Sequence, residues 1–452
     1  MLPPLGLATL AADRPLGDAE VNRTQTTLLC ALTLAAALLA GCGAPEGERF
    51  AVGVWPQWRG PQAEGITPFD NLPIEWAPES DNLKWRAELT GPGASQPIVS
   101  NGRIYLTGGR TGKVRSHRSL YAFDPADGSE LWSLLISDRR KEKTHHRFGS
   151  FSNPTPVTDG ETVWVYFGGL LAAVSRDGDL RWQSTVDPNY KETSRYGAAS
   201  SPVLAGRAVV VFSDDEWGDE KRARLSWMAA YDRDSGVELW RTEWGDTCCS
   251  YATPLLRETA DGLELIVSTT PLVLGFDLAT GERLWQVDQP IVQVVPSPVM
   301  AGDLLIQAGS VHEKKILAYR LTGSGSETRA EELWREIRSA PEMASPVLYN
   351  DLLFTVTDGG IASCIEPETG ELVWRERLPA TGYRSSLVAG DGKVYFTTFG
   401  SVTAVVAAER EFQLLATNDL AELSESSIAV TEECLLVRTK RFLYCVERQA
   451  GP

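Results

Sequence analysis

One unit recurs along this chain: an apolar strand, an acidic residue, a short glycine turn, and a tryptophan eight residues after the acid. It runs from Ala122-Phe123-Asp124 through Gly128 to Trp132, and from Ala230-Tyr231-Asp232 through Gly236 to Trp240. It returns from Phe276-Asp277 through Gly281 to Trp285, and from Ile365-Glu366 through Gly370 to Trp374. A copy one residue short spans Ser175, Gly178 and Trp182, while Leu333-Trp334 ends a copy whose turn is expanded over 322–331. An internal period constrains a chain more tightly than any local propensity, because each unit must bury the same faces against its neighbours.

A second landmark precedes these, a small or polar residue followed by Pro and an aliphatic. It reads Gln96-Pro97-Ile98, Thr155-Pro156-Val157, Ser201-Pro202-Val203, Thr253-Pro254-Leu255, Ser297-Pro298-Val299 and Ser345-Pro346-Val347, with Leu or Ile replacing Pro in Ser386-Leu387-Val388 and Ser427-Ile428-Ala429. Between the landmarks lie glycine turns flanked by β-branched and aromatic runs, such as Asn101-Gly102 before Ile104-Tyr105-Leu106. Those are hairpin signals, so each unit reads as four short antiparallel strands. Eight units of roughly 46 residues, each four-stranded, describe propeller blades.

The count closes on itself. The last unit lacks a Trp strand, and residues 83–89, which contain Trp85, form a Trp strand with no blade before it. Placing that strand on the outside of the last blade closes the ring and removes the exposed sheet edges. The expected fold is therefore all-β, an eight-bladed propeller over 83–449 closed by its N-terminal strand. Trp85 joins Trp132, Trp182, Trp240, Trp285, Trp334 and Trp374 as packing residues on the outer strands, with Phe412 expected in the eighth place. Seven of the 14 tryptophans are thereby used, and the turns absorb part of the 40 glycines. A 43 % apolar content excludes disorder. With 60 Asp+Glu against 43 Lys+Arg, a net charge of −17 argues against a nucleic acid as partner.

Residues 28–40 are uncharged and apolar but too short to span a bilayer. They fit a secretory h-region, preceded by Arg23 and ended by Leu39-Ala40-Gly41-Cys42, which resembles a bacterial lipobox. That resemblance implies a signal peptide over 1–41, a diacylated Cys42 as the mature terminus, and a tether and leader over 42–82. Asp13, Asp18 and Glu20 do not suit a basic n-region, which a true start near Val21 would explain. Gly43 after the lipid cysteine favours an outer-membrane anchor facing the periplasm.

The repeat, in outline Ala-x-Asp-x-x-Thr-Gly-x-x-x-Trp, resembles the docking motif of the eight-bladed quinoprotein-like propellers. These comprise the PQQ-dependent alcohol dehydrogenases and the non-catalytic PQQ-like repeat proteins, BamB-type assembly factors among them. The stretch Trp55-Pro56-Gln57-Trp58-Arg59-Gly60-Pro61 is similar to a leader found before many PQQ-like repeat proteins. The resemblance implies an interaction or ligand-binding platform in the cell envelope, with envelope or outer-membrane proteins as partners, attachment to the membrane by lipid alone, and a monomeric propeller.

Residues just before each landmark should line one mouth of the central channel. They are His145, His146, Arg147 and Asn153, then Arg195 and Tyr196, then Cys248, Cys249 and Tyr251, followed by Gln293, Glu342, Tyr383 and Arg384. Convergent polar groups at a channel mouth are a ligand-site signal, although loop tips are also polar simply because water solvates them. Tyr196, Tyr251 and Tyr383 suggest a third reading, carbohydrate binding. The adjacent Cys248-Cys249 resembles the disulfide that lies over the cofactor in the alcohol dehydrogenases, and a PQQ-and-calcium dehydrogenase is the alternative function, with Arg195 and Arg384 as further cofactor-binding candidates. Against it, the pair falls before the fourth blade, no local motif matches the enzymes' calcium ligands or catalytic Asp, and no Cys-x-x-Cys-His is present for a haem. The expectation is thus no cofactor, no catalytic residue and no metal. A local clamp or two separate thiols are the other readings of the pair.

Cys434 and Cys445 lie symmetrically about Thr439-Lys440, so a tight hairpin there would set them opposite each other as a disulfide. Cys364, in an apolar strand, reads as an inert buried thiol. Only four histidines occur, and His145-His146 lack metal-ligand spacing because strand neighbours face opposite sides. Gly109 to Val114 departs from a phosphate loop at its first glycine and at its last position, and reads as a hairpin tip.

Overall fold

The computed structural model describes residues 54–111, 114–140, 152–188, 190, 197–214, 226–309 and 314–448. Eight four-stranded antiparallel sheets make a propeller ring. Blades 1 to 7 take their strands in chain order from 98–140, 157–185, 203–244, 255–288, 299–336, 347–377 and 388–418. Blade 8 is built from 429–447 and completed by Leu83–Glu88, which pairs antiparallel with Phe442–Glu447, setting Trp85 opposite Cys445. The N-terminal strand closes the ring as expected. Among the described residues the one helical segment is the short 3-10 turn Gly325–Glu327, and no helix is long and apolar enough to cross a membrane.

Strand position explains strand composition. Thr162–Tyr166 and Leu170–Ser175, central in blade 2, are buried along nearly their whole length and read as continuous apolar runs. The outer strand Leu180–Thr185 alternates between half-buried and exposed positions. A strand covered on both faces by neighbouring blades cannot afford polar residues, whereas one at the rim keeps a solvated face.

The tryptophans dock blade to blade. Trp182 of blade 2 lies over Gly236 in the turn of blade 3 and donates its indole N–H to Arg233 O at 3.0 Å. Trp85 does the same to Pro125 O (2.9 Å) and Gly128, and Trp132 to Arg176 O (3.0 Å) and Gly178. Trp240 reaches Leu278 O and Gly281, and Trp334 reaches Pro367 O and Gly370, both at 2.8 Å. Gly236 shows why glycine is needed: its φ is +71°, and a Cβ would stand 2.5 Å from the Trp182 ring. Each tryptophan sits opposite the residue just before a β-bulge, Ala230 for Trp240 and Cys364 for Trp374, so the bulge fixes where the ring points.

Two positions break the pattern. Trp285 turns onto its own blade, against Gly275, and donates to Glu264 Oε2 at 3.0 Å. The cause is the expanded turn of blade 5, which offers no glycine at the right place. Instead Gly325 N–H donates to Glu264 Oε1 (2.9 Å), and Arg257 bridges Glu264 (3.1 Å) and Gly323 O (2.9 Å). A buried ion pair within blade 4, hydrogen-bonded to the turn of blade 5, thus takes the place of the ring contact.

The eighth place is a correction. Phe412 does not occupy it: its ring packs edge-on against Trp374, at 5.1 Å between centroids, in the turn that precedes the outer strand. The residue opposite the bulge is Ala416, paired one step from the shift between Val405 and Val406. The missing ring comes from the leader. Trp76 is buried in the same apolar cluster that Ala416 packs against, stands 6.4 Å from the Tyr395 ring, and donates its backbone N–H to Asn418 Oδ1 at 2.8 Å.

In blade 8 the structure joins Cys434 to Cys445, with Cα atoms 5.9 Å apart. The register differs from the symmetric hairpin: Cys434 faces Glu447 and Cys445 faces Leu436, so the disulfide runs diagonally across the pair. The turn spans Thr439 to Phe442, held by Thr439 N–H to Phe442 O at 2.8 Å, so its centre lies one residue later and every pairing shifts by two residues. Cys364 is a buried free thiol whose pKa burial pushes up to about 12, which keeps it protonated and unreactive at neutral pH. Arg438 of blade 8 is fully buried and binds Ser95 O and Thr107 O of blade 1, both at 2.8 Å, a polar clasp between the last blade and the first.

Candidate functional site

The landmark residues form a circuit around the axis. Gln96 N–H donates to Thr155 Oγ1, Thr155 N–H to Ser201 Oγ, and Ser201 N–H to Thr253 Oγ1, each at 3.0 Å. Thr253 N–H continues to Ser297 Oγ (3.2 Å), Ser297 to Ser345 (2.9 Å), Ser345 to Ser386 (3.1 Å) and Ser386 to Ser427 (2.9 Å). Buried N–H groups at the inner strand starts have no ladder partner, and the hydroxyl of the next blade satisfies each one. The hydroxyl at each landmark is therefore structural, and where Pro directly follows the donating residue it costs nothing because it has no N–H to pair. Only Gln96 departs from the small hydroxyl set. Its longer side chain donates from Nε2 to Ile428 O (2.6 Å), which joins blade 1 to blade 8, and accepts Arg59 N–H on Oε1 (2.8 Å).

Arg59 belongs to the leader, which lies across the axis. Trp55 forms a β-bridge to Val99 of blade 1, Pro56 O accepts Thr158 N–H of blade 2 (3.0 Å), and Gly65 O accepts Ala389 N–H of blade 7 (2.8 Å). Arg59 is fully buried and donates from Nη2 to Glu64 O (2.5 Å) and Pro346 O of blade 6 (2.6 Å). Burial pushes its guanidinium down to about 9, which still leaves it charged at pH 7. Trp58 donates its indole N–H to Ser297 Oγ of blade 5 at 3.1 Å. All these partners on the inner strands lie at or beyond the landmark in chain direction, so the leader caps one end of the axis and the residues preceding the landmarks surround the other.

Between the two lies a cavity of about 390 Å³. Trp58 lines it from the leader; Thr253, Ser297 and Ser345 line it from the hydroxyl circuit; Tyr251, Gln293, Glu342 and Arg384 line it from the mouth. Asn153 lines it as well, so five of the mouth residues singled out from sequence meet at one cavity. Its charged side chains are matched. Arg384 Nε donates to Asp358 Oδ2 at 3.0 Å, Glu342 pairs with Lys314, and Glu425 pairs with Lys440 at 3.0 Å. Lys440 also stands 5.4 Å from the centre of the Phe399 ring, another lining residue. Burial, reinforced by the nearby Glu342 charge, raises the Asp358 carboxyl above its ordinary range.

Tyr383 is a correction. It is 0 % exposed within the core cluster of blades 6 and 7, not at the mouth. Tyr383 and Arg384 are neighbours in an extended segment, so their side chains diverge, and Arg384 is the one that takes the cavity. Cys248 and Cys249 form a disulfide with each other, Cys249 at φ +67°, and they are absent from the cavity lining. The pair is pinned by backbone bonds from Cys248 to Thr270 and from Val294 N–H to Cys249 O (3.0 Å), beside the segment that carries Tyr251. His145, His146, Arg147, Arg195, Tyr196 and Cys42 lie outside the described residues. Trp58, Phe399 and Glu425 were missed as lining residues; for Phe399 and Glu425 no local pattern marks them, because the loops that carry them follow the repeat only loosely.

PQQ is a tricarboxylate that its enzymes hold with calcium. Among the described residues the cavity offers one arginine, already committed to Asp358, against two glutamates, and no group of His, Cys, Asp or Glu is placed to hold a metal ion. That donor set does not fit the group.

The family model for the outer membrane protein assembly factor BamB matches residues 38–218, 226–328 and 325–451. The chain belongs to the BamB family. BamB of Moranella endobia (strain PCIT) is 23 % identical over 316 residues, covering 69 % of this chain and 74 % of that protein. BamB of Escherichia coli (strain K12) is 22 % identical over 317 residues, covering 68 % and 72 %. In three dimensions the chain resembles BamB from Moraxella catarrhalis, with a TM-score of 0.57 at 12 % identity over 81 % of this chain and 98 % of that one. It resembles the quinohemoprotein alcohol dehydrogenase from Comamonas testosteroni equally in fold, with a TM-score of 0.61 at 11 % identity over 88 % and 81 %. Fold likeness therefore does not separate BamB from the dehydrogenases. The family match itself runs through all eight blades.

Proposed function

We propose that this chain is a lipid-anchored envelope protein, held by a diacylated Cys42 at the outer membrane and facing the periplasm, whose propeller serves as a docking platform without catalysis of its own. The observation that carries this reading is the BamB family match, which spans every blade. By analogy with relatives named as outer membrane protein assembly factors, its partners are proteins that assemble the outer membrane. Charges paired around the cavity, Arg384 with Asp358, Glu342 with Lys314 and Glu425 with Lys440, favour binding over turnover.

Two measurements test this. Fatty-acid labelling of the expressed chain should mark it, and Cys42→Ser should abolish both the label and membrane retention. In-cell crosslinking followed by mass spectrometry should recover outer-membrane assembly proteins. Recovery of none, together with dye reduction by alcohols after reconstitution with PQQ and calcium, would reverse the assignment in favour of the dehydrogenase.

A further inference from the structure

The cavity has features that a protein-docking role does not use. It is enclosed by the leader at one end, and its volume of about 390 Å³ lies in the range of small-molecule sites, 300–1,000 Å³. Three aromatic side chains, Trp58, Tyr251 and Phe399, line it together with polar groups. The surrounding charge is balanced pair by pair: Arg384 with Asp358, Glu342 with Lys314, Glu425 with Lys440. A net anion or cation entering would face an opposing charge at close range, so neither is selected.

The circuit hydroxyls add a direction. Thr253 Oγ1, Ser297 Oγ and Ser345 Oγ each accept a backbone N–H from the preceding blade, and Ser345 Oγ accepts a second bond from Ser386 Oγ at 2.9 Å. An oxygen already accepting in this way turns its hydroxyl proton to donation. The ion-paired carboxylates accept, and the Gln293 amide does both. A ligand suited to this lining is uncharged, carries many groups that both donate and accept, and has apolar C–H faces to lay on aromatic rings.

We infer that the central cavity is a binding site for a neutral saccharide of about one or two pyranose rings. Trp58 and Tyr251 provide stacking surfaces, and Arg384, Glu342 and Gln293 bond the ring hydroxyls. The site rests on the cavity alone and does not depend on the envelope reading, so either can fail without the other. The sugar can arrive as a free disaccharide or as the end of a glycan chain; the lining chemistry is the same for both.

The test uses the full soluble chain from Gly43 onward with its leader intact. Calorimetry and tryptophan fluorescence follow titration with maltose, cellobiose, lactose and N,N′-diacetylchitobiose, with a glucuronate-containing disaccharide and PQQ as charged comparisons. A parallel arm tests retention on insoluble cellulose and chitin. At least one neutral sugar should bind with Kd below about 1 mM, and the charged compounds at least about tenfold more weakly, roughly 1.4 kcal/mol. Retention on a polymer without binding of its disaccharide identifies the chain end as the source. Trp58→Ala and Arg384→Gln should each weaken binding at least about tenfold with an unchanged circular dichroism spectrum, while Val114→Ser on the exposed surface should leave it intact. Arg384→Gln stands in if Trp58→Ala unsettles the leader. No heat, no fluorescence change and no retention across the whole panel would overturn the assignment, as would tighter binding of a charged compound or binding indifferent to both cavity variants.

Discussion

Blade 3 carries two left-handed glycines whose comparison isolates the energy of one docking tryptophan. Gly206 has φ +56° and no heavy atom within 4 Å of the position its Cβ would take. Gly236 has φ +71°, and its Cβ would fall 2.5 Å from the Trp182 ring. Alanine at either site bears the left-handed backbone cost, about 1–2 kcal/mol. Only at position 236 must Trp182 also move, which adds about 1–3 kcal/mol of overpacking and about 1 kcal/mol for its hydrogen bond to Arg233 O. Gly236→Ala should therefore be less stable than Gly206→Ala by about 2–4 kcal/mol. The comparison is read from urea midpoints of the two variants at matched slopes, so that shared backbone strain cancels. In a double-mutant cycle with Trp182→Ala, the excess at position 236 should largely disappear. Equal midpoints for the two alanine variants, or additive effects in the cycle, would show that the ring-on-glycine contact does not hold the blades together.

Arg257→Met leaves Glu264 buried without its cation, and should cost about 3–5 kcal/mol in urea unfolding; a loss below about 1 kcal/mol would mean that the expanded turn of blade 5 holds without the pair. Digestion without reduction should release a peptide linking Cys434 to Cys445, and Cys445→Ser should cost about 2–4 kcal/mol. Asp232 is held down to about 2 by the Ser235 hydroxyl, then by Arg207 and the Ser235 backbone N–H. A carboxyl depressed in the folded state contributes stability above its unfolded value of 3.8, and that contribution is lost as pH falls from about 4 to about 2. Carbon-detected titration of Asp232 should show the depressed value, and Ser235→Ala should move it upward; a value near 3.8 in both would remove the proposed hydrogen bonds.

The blade count, the closing strand and the docking tryptophans were legible because each is a repeated demand. Trp85 could be assigned to blade 8 from sequence since a Trp strand without a blade and a blade without a Trp strand complete one another. Phe412 was misplaced because aromatic character and proximity to the turn stood in for register; only the bulge, opposite Ala416, decides which side chain reaches the seam. Its substitute, Trp76, arrives from more than three hundred residues away, and no local pattern encodes that reach. For Tyr383 and Arg384 alternation was available and would have separated them. The landmark hydroxyls were visible as a pattern, but their purpose appears only when eight inner strands stand side by side and each N–H meets the next oxygen.

Closure also orders events in time. Leu83–Glu88 is synthesised before every blade, and its sheet partner Phe442–Glu447 follows only after the other seven blades. At roughly 5–20 residues per second the first strand waits on the order of 20–70 s for its partner, with its edge open throughout. Arg438 and the diagonal disulfide arrive in the same final stretch. The ring therefore cannot close gradually from one side. Completion is a single late event, and a chain stopped before Phe442 would leave an open arc whose two ends each present an unpaired strand to whatever chain comes next.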